Sequence, residues 1–154
     1  MRTILQDQAI HVIGIELRTS NDEAFNTIPA HWQRFTAEAI PARVPGKLSD
    51  DVYVVYTNFQ NAGRDNQGIY SLVIGVAVPP AATPPAGFTR VVIPASARAV
   101  FPVEKGRFDR VGQAWQAIWQ RGELKKTFIA DYERYRADGT IDILVGVEKE
   151  PAPA

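Results

Sequence analysis

The 154-residue chain contains no cysteine. That excludes disulfide staples, thiolate nucleophiles and sulfur-ligated metals, and it is compatible with a reducing compartment. Histidine is nearly as scarce. His11 falls in an apolar strand-like run and His31 beside Trp32, so neither joins a cluster with metal-ligating spacing. There is no excess charge of either sign: 17 basic residues balance 17 acidic ones. The sequence therefore carries no basic footprint for direct nucleic-acid binding or for an anionic membrane. No apolar run approaches the roughly 18 residues of a membrane helix. The N-terminus lacks the apolar stretch and small-residue cleavage site of a signal peptide, so a cytoplasmic protein is expected. Ser96 lacks the flanking glycines of a nucleophile elbow, and no phosphate-binding or dinucleotide glycine pattern occurs. No cofactor and no metal are expected.

What is present fits one globular domain over residues 1–150, since 45% of the residues are apolar and the length suffices to bury a core. Residues 9–19 are rich in Ile and Val and read as a strand. Asn26 or Thr27 is placed to cap a helix with Pro29 in its first turn, and Ile28, Trp32, Phe35 and Ala39 recur at helical spacing. Residues 51–59 and 69–78 read as a hairpin around the polar "QNAGRDNQG". "PPAATPPAG" (79–87) cannot supply ladder donors at its four prolines and reads as a connection. Residues 88–104 read as one long or bent strand with Pro94 at a kink. Val111, Ala114, Trp115, Ile118 and Trp119 form a second helical stripe, with Asp109 placed as a cap and Gly122 as a stop. Two strands, 130–136 and 140–148, follow. Residues 149–154 have nothing to bury and read as a disordered tail.

The order strand, helix, strand, strand thus occurs twice, over 5–78 and 88–148. Tyr53-Val-Val-Tyr56 aligns with Tyr132-Glu-Arg-Tyr135, so Glu133 stands where the first half has Val54. A glutamate is out of place in a strand unless its face is solvated or it serves a pocket. Two such halves side by side make an antiparallel-rich α+β domain with the helices on one sheet face. The other face is then expected to form a groove at the pseudo-twofold axis, where Tyr56, Glu133 and Tyr135 meet.

"VIGIELRTSN", "IPAHWQRF", "VYVVYTNF", "GIYSLVIGVAV", "IPASARAVF" and "ADYERY" together resemble the GyrI-like, or AraC-type effector-binding, family. The similarity is greatest to its stand-alone integron-cassette and YdeE-like branch, and it spans about residues 5–148. The resemblance implies two fused βαββ modules of SHS2 type with a ligand pocket between them. It also implies a preference for hydrophobic, often cationic, drug-like molecules. The family's pocket glutamate in an E-x-Y strand maps to Glu133, and its tyrosine to Tyr135. One departure is Arg98, which stands at a position often occupied by tyrosine; its head, if in the pocket, would oppose cations.

The candidate ligand-binding residues are Glu133, Tyr135, Tyr56, Tyr70, Trp32, Trp115 and Phe59. Trp119 and Phe35 read as plain core, Asn21 and Asn58 as turn formers, and Glu104 as a solvated strand end. No residue is assigned a catalytic role. The leading expectation is a non-catalytic binder of small hydrophobic cations, acting by sequestration or through a protein partner. With the first family strand near residue 9, no helix-turn-helix is expected ahead of it. The alternatives are a hydrolase of the same family with Glu133 as general base, and a gyrase-interacting module.

Overall fold

The computed structural model describes residues 1–149. Its strands are β1 Arg2–Gln6, β2 Ile10–Ser20, β3 Val52–Thr57, β4 Ile69–Val78, β5 Thr89–Ile93, β6 Ser96–Val103, β7 Ala130–Tyr135 and β8 Ile141–Val147. Its helices are α1 Ala24–Ala37 and α2 Val111–Trp119. The strands form one antiparallel sheet in the order β1-β6-β8-β7-β3-β4-β2-β5. The mixed α+β architecture is the one the repeat implied. The triplets β7-β8-β6 and β3-β4-β2 lie on either side of a central β3–β7 pair. In that pair Val54 is opposite Glu133, so the two positions aligned by the repeat face one another at its pseudo-axis.

Two elements differ from the sequence reading. β1 was not expected. The stretch 88–104 is not one bent strand but two, because Pro94 has no N–H for a ladder. β5 pairs with β2 and β6 with β1 and β8, at opposite ends of the sheet. Each half is therefore preceded by a strand, β1 or β5, that hydrogen-bonds to the other half.

This arrangement forces the sheet to roll. In a flat sheet β5 and β6 would be six strand spacings apart, roughly 29 Å. Only Pro94 and Ala95 connect them, a reach of roughly 11 Å. The ends must come together, and polar contacts fasten them. Arg98 donates from Nη2 to the Pro94 carbonyl at 2.8 Å and from Nε to Gln6 Oε1 at 3.0 Å. Tight curvature also needs close strand approach: a Cβ on Gly14 would lie 2.0 Å from the Ile74 carbonyl oxygen of the neighbouring strand.

The inside of the roll is a core of Val12, Tyr53, Val55, Val73, Ile93, Val100, Tyr132 and Leu144. Among the described residues this core fills the face without helices, which corrects the expected location of the groove. The opposite, outward face carries α1 and α2. Phe35 packs there with Ile15, Val54, Leu72 and Ile74, and Trp115 and Ile118 pack with Ile141, Ile143 and Val145. Neither helix starts at the expected cap. α1 begins after Glu23, with Pro29 inside it, and α2 begins after Arg110, while Asp109 pairs with Arg107 at 2.8 Å. The proline-rich stretch 79–87 forms no strand. The expected tail lies, apart from Lys149, outside the described residues.

Candidate functional site

Side chains alternate across β7, so Asp131, Glu133 and Tyr135 project towards the helices. Across the axis β3 sends Val54 and Tyr56 to the same face. Glu133 is 3% exposed. Its carboxylate accepts three hydrogen bonds: Tyr56 Oη donates to Oε2 at 2.5 Å, Trp115 Nε1 donates to Oε2 at 2.7 Å, and Tyr135 Oη donates to Oε1. The repeat-related Tyr56 and Tyr135 thus grip one acid from two sides. Burial pushes the Glu133 carboxyl up, and the three donors pull it back. Burial and the neighbouring Glu133 charge raise the Tyr56 and Tyr135 phenols, and they push Tyr70 up to about 12.

Above this carboxylate, between α1 and α2, lies a cavity of about 730 Å³. Its walls are aromatic. Trp32 meets Tyr135 edge-on at 5.2 Å, and Trp115 meets Tyr56 at 5.1 Å. Each helix tryptophan therefore rests on the tyrosine of the other half. Tyr70 closes the floor 5.8 Å from Tyr56. Six of the seven nominated residues line this space: Glu133, Tyr135, Tyr56, Tyr70, Trp32 and Trp115. Phe59 does not; it is buried behind Tyr70 at 5.9 Å and borders a small adjoining recess.

Trp119 is not plain core: it is 42% exposed and lines the cavity, because it lies one turn beyond Trp115 at the end of α2. Phe35 is core, beneath Trp32 at 5.7 Å. Asn21 ties a loop by donating to the Asn66 carbonyl, and it also lines the cavity. Asn58 sits in a left-handed turn at φ 50°. Glu104 is exposed and pairs with Arg110. Arg98 points into the roll, where its guanidinium donates to the Ala130 carbonyl and stacks over Tyr132. It is therefore on the opposite face from the cavity and does not set its charge. His31 is a buried core residue whose Nε2 bonds the Ile15 carbonyl at 2.9 Å. Among the described residues no three Asp, Glu or His side chains gather as a metal would require. No described helix is long and apolar enough to cross a membrane.

Sequence reasoning missed Phe25 and Phe108, which form the cavity mouth. A signal existed. "FNTIPAHW" (25–32) and "FDRVGQAW" (108–115) share the pattern Phe-x-x-Ile/Val-x-x-x-Trp. Spacings of three, four and seven bring the three residues of each motif to one side, along α1 in the first and from the 3-10 turn 108–110 into α2 in the second.

A family model described as "integron-associated effector binding protein" matches residues 3–147. YobU of Bacillus subtilis (strain 168), a protein named for a transcriptional-regulator role, is 25% identical over 134 residues, covering 83% of this chain and 82% of that one. The integron cassette protein VCH_CASS2 from the mobile metagenome of Vibrio cholerae superposes with a TM-score of 0.70 at 19% identity, over 96% of this chain and all of that one. The structure of SAV2435 bound to tetraphenylphosphonium superposes with a TM-score of 0.74 at 17% identity, over 96% and 94% of the two chains.

Proposed function

The chain belongs to the integron-associated effector-binding family, and from that premise we propose that it binds hydrophobic organic cations in the cavity between α1 and α2, over Glu133. The observation that carries this reading is a buried carboxylate beneath an aromatic-walled space large enough for a drug-sized molecule. Removing a carboxylate from water is costly, and three donors offset only part of that cost. A lipophilic cation above it offsets more, without giving up a tight hydration shell of its own. The tryptophan and tyrosine faces add cation–π attraction of about 0.5–2 kcal/mol per well-placed ring. Apolar burial supplies the bulk of the affinity and the carboxylate supplies the choice of charge. That the structurally similar SAV2435 was solved with tetraphenylphosphonium supports the ligand class.

Held by three donors, Glu133 is suited to bearing charge rather than to taking a proton from a water, which favours binding over general-base hydrolysis. The test is a titration with tetraphenylphosphonium followed by tryptophan fluorescence, since Trp32, Trp115 and Trp119 all line the cavity. A saturable change, lost when a bulky Leu replaces Gly112 on the cavity wall, is expected. A signal unaffected by that filling would place the ligand elsewhere and refute the assignment.

A further inference from the structure

Behind the cavity lies a second space of about 20 Å³, and the two share the walls formed by Asn21, Tyr56, Tyr70, Trp115 and Trp119. Its volume suits one water-sized group. Asp131, the helix-facing residue two before Glu133 on β7, lines it and is 6% exposed. One oxygen, Oδ1, accepts the Gly146 N–H at 2.7 Å. The other accepts no hydrogen bond among the described residues, and Asp131 is a lining residue of the recess. Lys126 also borders the recess, with its ammonium donating to the Arg121 carbonyl at 2.9 Å. Its positive field reaches Asp131 without a direct ion pair. Asn66 also borders the recess, and the remaining lining is apolar or aromatic: Phe59, Ile118, Phe128 and Val145.

Resting on the cavity reading above, we propose that this recess is a second subsite that takes one small, neutral hydrogen-bond donor, a primary aryl amine or a hydroxyl, carried on an aromatic cation whose charge lies over Glu133. The size admits –NH2 or –OH but not a dialkylamino group. The free carboxylate oxygen requires a donor. Lys126 offsets the Asp131 charge, so a second full cation gains little there, whereas a neutral donor loses nothing. The two helix-facing carboxyls are two strand residues apart, roughly 6.6 Å, a span that one fused aromatic ring system bridges.

The experiment compares three flat cations of equal charge by fluorescence titration: 10-methylacridinium, 3,6-diamino-10-methylacridinium and its tetramethylated 3,6-bis(dimethylamino) analogue. The unsubstituted protein should bind the diamino compound roughly tenfold more tightly than 10-methylacridinium, the worth of one hydrogen bond to a charged acceptor. The tetramethylated compound, which has no N–H, should show no such preference. Asp131→Asn keeps an oxygen for Gly146 N–H but presents a donor to the recess. It should erase the diamino preference and leave the 10-methylacridinium Kd within about twofold. Glu133→Gln should weaken all three together. A diamino preference that survives in Asp131→Asn, or one shared by the tetramethylated compound, overturns the subsite. The latter comparison needs no variant to fold. Equal affinity of the diamino and parent compounds for the unsubstituted protein overturns the recess and spares the cavity. Failure of all three to bind overturns both.

Discussion

Replacing Glu133 by Gln removes the charge beneath the cavity while keeping the side-chain shape. A cation centred about 6 Å from the carboxylate interacts with it by roughly 2.8 kcal/mol at an effective dielectric constant of about 20. That corresponds to about a hundredfold in Kd. A neutral ligand of similar shape has no such term. The substitution also costs stability. Tyr56, Tyr135 and Trp115 all donate to Glu133, and a Gln carbonyl accepts two at most while its NH2 faces the third donor. One orphaned buried donor costs about 1–3 kcal/mol. The assay pairs tetraphenylphosphonium with neutral triphenylphosphine oxide, titrated by calorimetry against both proteins at a temperature where urea curves show each fully folded. The cation should weaken by at least thirtyfold and the oxide by less than threefold. Equal losses for the two ligands would mean that the variant merely loosens the cavity, and the charge argument would fail.

Acidification should act on the same group: burial raises the Glu133 carboxyl, so cation affinity should be full at alkaline pH and fall as pH drops through that raised value, while triphenylphosphine oxide affinity stays flat. A flat profile for both would remove Glu133 as the charged partner. Asp131 is pushed up to about 6 by burial. A raised acid contributes stability that is complete below its unfolded value near 4 and lost as pH rises through 6. Asp131→Asn should therefore gain on the parent by roughly 3 kcal/mol between pH 4 and 7 in urea denaturation, and a pH-independent difference would refute it. Val54→Glu places a second carboxylate opposite Glu133 at about 5 Å, a repulsion of roughly 3 kcal/mol when both ionise. Its destabilisation should be larger at pH 8 than at pH 5, and the reverse order would count against the register. Arg98→Met strips the seam of the roll of its bonds to Gln6, Pro94 and Ala130 and should cost about 3 kcal/mol of stability, while the variant, once folded, binds tetraphenylphosphonium within about twofold. A large selective loss of cation affinity would contradict the placement of Arg98 outside the cavity.

The duplicated strand and helix pattern was legible because hydrophobic period survives in a single sequence. β4 occurs at Ile69–Val78, where the run of apolar residues placed it. The Glu133 anomaly was legible for the same reason: a charged residue inside an aromatic strand is a local conflict, and here the conflict marks the candidate site. What did not show was long-range pairing. "MRTILQ" has too few strand-forming residues to announce β1, which exists because β6 offers it an edge. The split at Pro94 was visible as a kink, but the opposite destinations of β5 and β6 depend on strands far away in sequence. Missing that swap led directly to the wrong face for the groove. A flat two-module sheet has a free side, and a rolled one fills it. Trp119 was misjudged because helical spacing places it near Trp115 without saying that α2 ends there.

The pseudo-twofold axis explains why a single acid suffices. Much of the site off the axis occurs twice: the helices, Trp32 and Trp115, Tyr56 and Tyr135, and Phe25 and Phe108. Positions on the axis face their own counterparts, so a glutamate in both repeats would set two carboxylates against each other and only one would ionise. Placing Val54 opposite Glu133 keeps one full charge and lets both tyrosines share it. The symmetry is then broken above the acid as well. Phe108 stacks on Tyr135 at 5.7 Å, whereas its counterpart Phe25 is 89% exposed. Trp115 is anchored to Glu133 through its indole N–H, whereas Trp32 meets Phe35 and Tyr135 edge-on and packs against the apolar core of its half. One wall of the cavity is thus tied to the charge, and the other is tied to the sheet away from it, through His31 and Thr27 of α1. A fixed carboxylate held by one wall and left free of the other suits selection by charge with tolerance of shape, which the proposed binding of hydrophobic cations requires.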